Sequence, residues 1–516
     1  MRIALRTDAS RGIGTGHLRR CISLVQALNN EGAQSLFVCR QHDEVSELVS
    51  DLGLPHAWLP APTGYAPDAD DPAHAAWAGC SWTQDAQDTI AALRDFRPDW
   101  VLVDHYAFDA RWHERVASAL GCRIAVIDDL ADRPIAAAVL IDQNLDPDHA
   151  RKYAHCLRTS TRLLGGPRYA LLAPQYRSAP RYRFRRTVQS IGIFMGGADP
   201  QDFSSRALIA CREVAGFGGQ IELVSSSRNP HLDRHLALAR QWPDTRMLCD
   251  QPELSGFFAR HDLQIGSGGV AAWERSCLGA PTLAIQIADN QRAVLPQLAA
   301  LGAVEWLQSV DPDEHALGTA AQALIESPRR RLALVRGTRG LVDGLGAARV
   351  AAVLALAAGS PLAWREAGAI DEALLLQWAN DPEARRHALN PATITARGHH
   401  AWFTARLARS ADCRILIATS PAGTPLGQVR FEHDGSNWTL SYSLDADFRG
   451  LRLARPLLDG AMAALRAREG RPIALLAWVK PDNAASLQTF RGLGFQESRS
   501  SHQGVDCHRF ELHLVD

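Results

Sequence analysis

Along the first two-thirds of the chain, short runs of aliphatic and β-branched residues alternate with apolar residues at helical spacing. Residues 3–5, 35–39, 100–103, 123–127 and 138–141 predict strands. Cys21, Leu24, Val25 and Leu28 predict the apolar stripe of a helix after the first of them. This alternation implies a parallel sheet flanked by helices. Residues 60–72 carry four prolines and read as a loop, and the basic segment 176–186 reads as a linker. A second alternating unit follows, with strands at 190–194, 221–224, 263–265 and 282–285, closed by a helical pattern over 319–357. After Gly359-Ser360-Pro361 the order changes. Helical patterns at 371–380 and 399–408 precede strands at 414–418, 426–432 and 437–444, and then come a helix at 453–468, a strand at 473–478 and a helix at 483–492. That order is α+β. The expected domains are 1–175, 187–358 and 361–516.

Composition narrows the function classes. A chain of 516 residues exceeds one core, while 46% hydrophobic and 22% charged residues match ordinary globular proteins. A net charge of −1 gives no general attraction to nucleic acid or to an anionic membrane. No apolar run is long enough to span a bilayer, and the N-terminus enters a strand without the apolar region of a signal peptide, so a cytoplasmic location is expected. The ten cysteines form no C-x-x-C pair, which signals neither zinc nor a disulfide framework.

The candidate chemistry begins at Gly12-Ile13-Gly14-Thr15-Gly16-His17-Leu18-Arg19-Arg20, between a predicted strand and a predicted helix. Glycines in such a turn let backbone amides approach an anion, and His17 suits a general base. A tight turn with a solvent-facing histidine is the plainer alternative. Asp104, His105, Tyr106, Asp128 and Asp129 fall at strand ends, where side chains point to a cleft or cap the next helix. The second unit repeats the theme with Gly196 and Gly197, then with Ser267, Gly268 and Gly269. Glu274, further along that helix, can accept hydrogen bonds from ribose hydroxyls, or it is a helix-surface acid. Asn290 and Gln291 offer amides for sugar hydroxyls. Two Gly-rich anion turns on facing domains are more specific than either alone.

These motifs, together with Arg6-x-Asp8, Arg20-Cys21 and Val103-Asp104-His105-Tyr106, resemble the UDP-sugar hydrolases of pseudaminic acid biosynthesis over roughly residues 1–350. The resemblance implies two Rossmann-like domains of glycosyltransferase B type. It also implies inverting, metal-free hydrolysis of UDP-2,4-diacetamido-2,4,6-trideoxy-β-L-altropyranose. His17 would be catalytic, and Gly14, Thr15, Gly16, Tyr106, Gly196, Gly197, Ser267, Gly268, Gly269, Glu274, Asn290 and Gln291 would hold UDP and sugar. A glycosyltransferase using the same cleft with an alcohol or amine acceptor is the competing reading.

In the third domain, Phe448-Arg449-Gly450-Leu451-Arg452-Leu453-Ala454 precedes a helix, and Asn483-x-x-Ser486 opens another. Amides and arginines at such a turn suit the pyrophosphate of coenzyme A; a surface loop and a helix cap are the alternatives. These residues resemble the GNAT-type N-acetyltransferases over about residues 361–516. That resemblance implies acetyl-CoA as co-substrate, bound by Arg449, Gly450, Arg452, Ala454, Asn483 and Ser486. Asn380 in Trp378-Ala379-Asn380-Asp381-Pro382 would lie on the amino-sugar side. Beside the hydrolase-like units, it implies 4-N-acetylation of UDP-4-amino-4,6-dideoxy-N-acetyl-β-L-altrosamine. Two departures stand out: Arg452 occupies the place of the motif's inner glycine, and Phe490 the place of a tyrosine that protonates the departing thiolate in many members. A non-catalytic binding module is therefore a further reading of this domain. Trp438 and Trp478 either line a ligand or belong to the core.

Overall fold

Ile3-Ala4-Leu5 lies inside a seven-stranded parallel sheet, on the third strand from one edge, and is fully buried. Its strands are β1 (Arg2–Thr7), β2 (Gln34–Arg40), β3 (His56–Leu59), β4 (Trp100–Asp104), β5 (Arg123–Ile127), β6 (Val139–Asp142) and β7 (Arg162–Gly165), in the order β3-β2-β1-β4-β5-β6-β7. Helices cover both faces of such a sheet, which is why its strands read as nearly unbroken apolar runs. The order reverses between β1 and β4. At such a switch point the connections leave in opposite directions and open a crevice beyond the strand ends.

The second sheet repeats this plan. β8 (Ser190–Phe194), β9 (Gln220–Ser225), β10 (Thr245–Cys249), β11 (Leu263–Ser267), β12 (Thr282–Ile285) and β13 (Glu305–Leu307) lie in the order β10-β9-β8-β11-β12-β13, all parallel. Its switch point falls between β8 and β11. The chain thus carries two Rossmann-like sheets of glycosyltransferase B type, followed by a mixed sheet. That third sheet comprises β14 (Ala363–Glu366), β15 (Cys413–Thr419), β16 (Pro425–His433), β17 (Trp438–Leu444), β18 (Ile473–Val479), β19 (Gln496–His502) and β20 (Val505–Leu514), in the order β14-β15-β16-β17-β18-β20-β19. Its pairings are antiparallel except β17 with β18.

This computed structural model describes residues 1–43, 45–62, 64–158, 160–197, 199–288, 291–308, 311–470 and 472–514. Its contacts define two compact units. One comprises Met1–Asn29 and Ala33–Ala351, with both Rossmann-like sheets; the other comprises Asn30–Gly32 and Ala352–Asp516. No described helix is long and apolar enough to cross a membrane.

Three differences from the sequence reading have physical causes. The pattern over 319–357 is three helices, Glu314–Glu326, Pro328–Gly337 and Gly346–Ala357, because Ser327 caps and Pro328 opens the second of them. The basic segment 176–186 is more than a linker: Tyr176 and Tyr182 are buried, and Tyr182 N–H donates to the Leu278 carbonyl at 2.8 Å. Strands β3, β7, β10 and β13, absent from the sequence reading, are the four sheet edges of the first unit. An edge strand needs little burial, so its apolar signal is weak.

His113, on the helix Ala110–Leu120, has no exposed surface. Burial and the nearby Arg133 guanidinium push its imidazole down to about 3. Unfolding returns it to an ordinary value of about 6.5, so only the unfolded chain takes up this proton between those values. Its contribution to stability is complete above about pH 6.5 and is lost as pH falls toward 3. The melting temperature should therefore drop between pH 7 and pH 4.5, and His113→Phe should make the drop shallower. Parallel pH profiles for the two proteins would contradict this.

Candidate active sites

The first site grows from the switch point of the first sheet, where Thr7 at the end of β1 is in register with Asp104 at the end of β4. The chain turns back at once. Gly14 N–H donates to the Ser10 carbonyl at 2.7 Å, and Ile13 N–H to Ser10 Oγ at 3.1 Å. Gly14 has φ 80°, a conformation that costs an L side chain about 1–2 kcal/mol. The helix Gly16–Asn30 then opens with His17 in its first turn.

His17 and Arg20 share one helix face and converge on Asp104. His17 Nδ1 lies 2.6 Å from Asp104 Oδ1. Arg20 donates from Nε to Oδ2 at 2.6 Å and from Nη2 to Oδ1 at 2.5 Å. Asp104 is fully buried, and the His17 side chain is 10% exposed. Burial alone would raise the Asp104 carboxyl; the Arg20 guanidinium and His17 outweigh it and hold the group well below the usual carboxylate range. An ionised carboxylate only accepts hydrogen bonds, so His17 Nδ1 carries a proton, and in the neutral ring the lone pair falls on Nε2.

Aromatic rings surround this imidazole. Tyr106 and Trp77 stand edge-on to it, with centroids at 4.8 Å and 5.9 Å, and His74 packs on both, 5.6 Å from Tyr106 and 4.8 Å from Trp77. The Tyr106 hydroxyl donates to Asp129, which also accepts from Asn144 Nδ2 at 2.9 Å. The sequence reading did not single out His74 or Trp77. Their only signal is an aromatic pair just past a proline-rich stretch.

The second Gly-rich turn lies in the same unit, across from the first. Trp273 Nε1 donates to Asn144 Oδ1 at 3.1 Å, and a Cβ at Gly197 would lie 3.5 Å from Thr15 Oγ1. Gly196 and Gly197 follow β8, while Ser267 ends β11 and Gly268 and Gly269 follow it, on the two sides of the second switch point. Gly268 packs so tightly against Leu295 that a Cβ would overlap it at 2.7 Å. The helix Val270–Leu278 has no side-chain cap at Gly269, which leaves its first amides for an anion. Gln291 Oε1 accepts from Gly268 N–H at 3.2 Å and Ile287 N–H at 3.0 Å, so this oxygen shapes the loop. Glu274 is half-buried, and burial raises its carboxyl although Tyr176 hydrogen-bonds it and Arg19 attracts it. Asn290 lies outside the described residues.

Among the described residues, one cluster has the donor types of a cation site: Asp199, Asp202 and His235. Its atoms already have partners. Asp199 accepts from Phe203 N–H and Ser204 N–H, and Asp202 caps Ser205 N–H and pairs with His235 at 2.7 Å and Arg234 at 2.9 Å.

In the second unit, the ladder between β17 and β18 contains only Trp438↔Leu475 and Thr439↔Leu476 among the described residues. The turn Arg449-Gly450-Leu451-Arg452 and the helix start at Ala454 follow β17. Arg452 adopts φ 58° and is exposed, so it keeps a glycine-like backbone and directs its side chain to solvent. Arg449 is paired with Asp381 at 2.6 Å and donates to the Leu444 carbonyl. Asn483 caps Ser486 N–H at 3.1 Å, and Ser486 Oγ is 3.0 Å from Tyr442 Oη. Asn380 uses both ends of its amide on the Ile394 backbone, at 2.8 Å each. Trp438 is buried in the core, and Trp478 stacks on His502.

Residues 363–496 match the sequence family described as Acetyltransferase (GNAT) domain. The spore coat polysaccharide biosynthesis protein SpsG of Bacillus subtilis (strain 168) is 24% identical over 270 residues, which cover 51% of this chain and 78% of that protein. Among solved structures, MurG of Acinetobacter baumannii aligns with 68% of this chain and 99% of its own at 13% identity and a TM-score of 0.46. The spermidine N-acetyltransferase of Vibrio cholerae, in complex with CoA and spermine, aligns with 30% of this chain and 95% of its own at 12% identity and a TM-score of 0.27.

Removing one partner of a buried ion pair leaves the other charge uncompensated. Arg20→Ala should therefore lower the unfolding free energy by about 3–5 kcal/mol in urea titrations. A loss below about 1 kcal/mol, the range of exposed pairs, would contradict the buried triad.

Proposed function

We propose that the first unit hydrolyses a UDP-linked diacetamido sugar and that the second supplies its substrate by N-acetylation. The observation that carries the hydrolytic reading is the His17–Asp104 pair. It holds Nδ1 on the carboxylate, so that the neutral ring offers Nε2 as base, in the same unit as an uncapped helix start suited to a diphosphate. Water attacks the anomeric carbon from the side opposite UDP, and the C–O bond to the diphosphate breaks. His17 Nε2 takes the water proton, while amides of the Gly268–Val270 turn receive the charge growing on UDP. Glu274, hydrogen-bonded by the buried Tyr176, would hold the ribose, and the rings of His74, Trp77 and Tyr106 the less polar face of the sugar.

The substrate assigned to this site is UDP-2,4-diacetamido-2,4,6-trideoxy-β-L-altropyranose. Acetyl transfer from acetyl-CoA to the 4-amino group of UDP-4-amino-4,6-dideoxy-N-acetyl-β-L-altrosamine would make it. The motif resemblance in the first unit supports this choice, and so does the polysaccharide-biosynthesis name of the Bacillus subtilis relative. The matched acetyltransferase segment supports the second activity.

His17→Asn keeps the size and polarity of the site but removes the base. UDP release should fall by about 10²–10⁴-fold while UDP binding by calorimetry stays unchanged. Normal turnover by this variant would exclude His17 as the base, and joint loss of turnover and binding would assign it to UDP instead.

A further inference from the structure

Thiolate departure from an acyl thioester is helped by a proton, and Phe490 has none to give. Phe490 is fixed in the core, stacked on Phe510 at 5.2 Å and edge-on to Phe495 at 5.0 Å. The surrounding geometry offers another source. Past Thr439 and Leu476 the parallel strands no longer pair, yet β17 continues to Leu444 and β18 to Val479. Backbone groups on their facing edges are thereby released from each other. An acyl thioester fits such an opening, because strand amides there can polarise its carbonyl.

Tyr442 lies three residues beyond the last pair on β17. Its hydroxyl meets Ser486 Oγ at 3.0 Å, from the helix Ala484–Gly492 that follows β18. The two hydroxyls therefore join the two sides of the opening. The Tyr442 ring stands edge-on to Phe490, with centroids 6.0 Å apart and planes at 74°. Both Tyr442 and Ser486 are half-buried, reachable by a ligand and sheltered from bulk water.

We propose that Tyr442 is the general acid of acetyl transfer and that Ser486 positions its hydroxyl; this rests on the acetyl-transfer reading of the domain. The amine nitrogen attacks the thioester carbonyl and the C–N bond forms. The C–S bond then breaks, its electron pair goes to sulfur, and the Tyr442 hydroxyl proton moves to that sulfur, giving the CoA thiol. The ammonium nitrogen releases one proton to water, and the tyrosinate recovers one from water. The net change is amine plus acetyl-CoA to amide plus CoA.

The test measures CoA release by the full chain from acetyl-CoA and the 4-amino UDP-sugar, beside acetyl-CoA binding by calorimetry. Tyr442→Phe should lower kcat by about 10²-fold or more, with KM and Kd for acetyl-CoA changed less than about threefold. Adding Phe490→Tyr to that variant returns a hydroxyl from the helix side and should recover at least about tenfold of the loss. Retention of kcat within about twofold by Tyr442→Phe, while the unaltered enzyme turns over, overturns the Tyr442 assignment alone. No CoA release by the unaltered enzyme overturns the acetyl-transfer reading and the Tyr442 assignment with it.

Discussion

One buried carboxylate organises the site at the switch point of the first sheet. Asp104 has no exposed surface, yet it stays ionised because Arg20 grips both its oxygens and His17 adds a third donor. Two of these three side chains sit one turn apart on the helix after β1, and the third ends the strand that pairs with β1. The ion pair thus ties the first helix to the sheet and fixes the tautomer of the imidazole in one arrangement.

The rest of the first unit reads as support for that arrangement. Beside the triad, Arg6 pairs with Asp8 and Asp85 at 2.6 Å each, with every partner buried. Asp129 and Asn144 carry the polar chain onward from Tyr106 to Trp273, which belongs to the helix of the second Gly-rich turn. Tyr106, edge-on to His17, is therefore linked by hydrogen bonds to the helix after the second Gly-rich turn within one compact unit. The mixed sheet of the second unit uses a different device. There two parallel strands stop pairing part-way along, and Tyr442 on one of them meets Ser486 on the helix that follows the other.

Much of this was legible in the sequence where the chemistry is local. Gly14, Gly16 and His17 are neighbours in the chain, and the strands that flank both switch points are short, mostly apolar runs. The partners of His17 were less legible because Asp104 lies 87 residues away and has an equally good reading as a helix cap. Tyr442 and Ser486 are 44 residues apart, and only the folded sheet and the helix after β18 bring their hydroxyls to 3.0 Å. Arg452 stands where the motif has its inner glycine; its φ of 58° shows that the backbone keeps a glycine-like conformation whatever the side chain. Arg449 and Asn380 looked available for ligands, but both side chains have partners within the fold.

Acetylation that feeds hydrolysis is tested most directly by NMR of the product mixture from the 4-amino UDP-sugar, with and without acetyl-CoA. With acetyl-CoA, the expected products are CoA, UDP and the free 2,4-diacetamido sugar, the last two in equal amounts and the sugar with inverted anomeric configuration; without it, the UDP-sugar should remain intact. Accumulation of the acetylated UDP-sugar, or UDP release only after an alcohol or amine acceptor is added, would contradict hydrolysis at the His17 site.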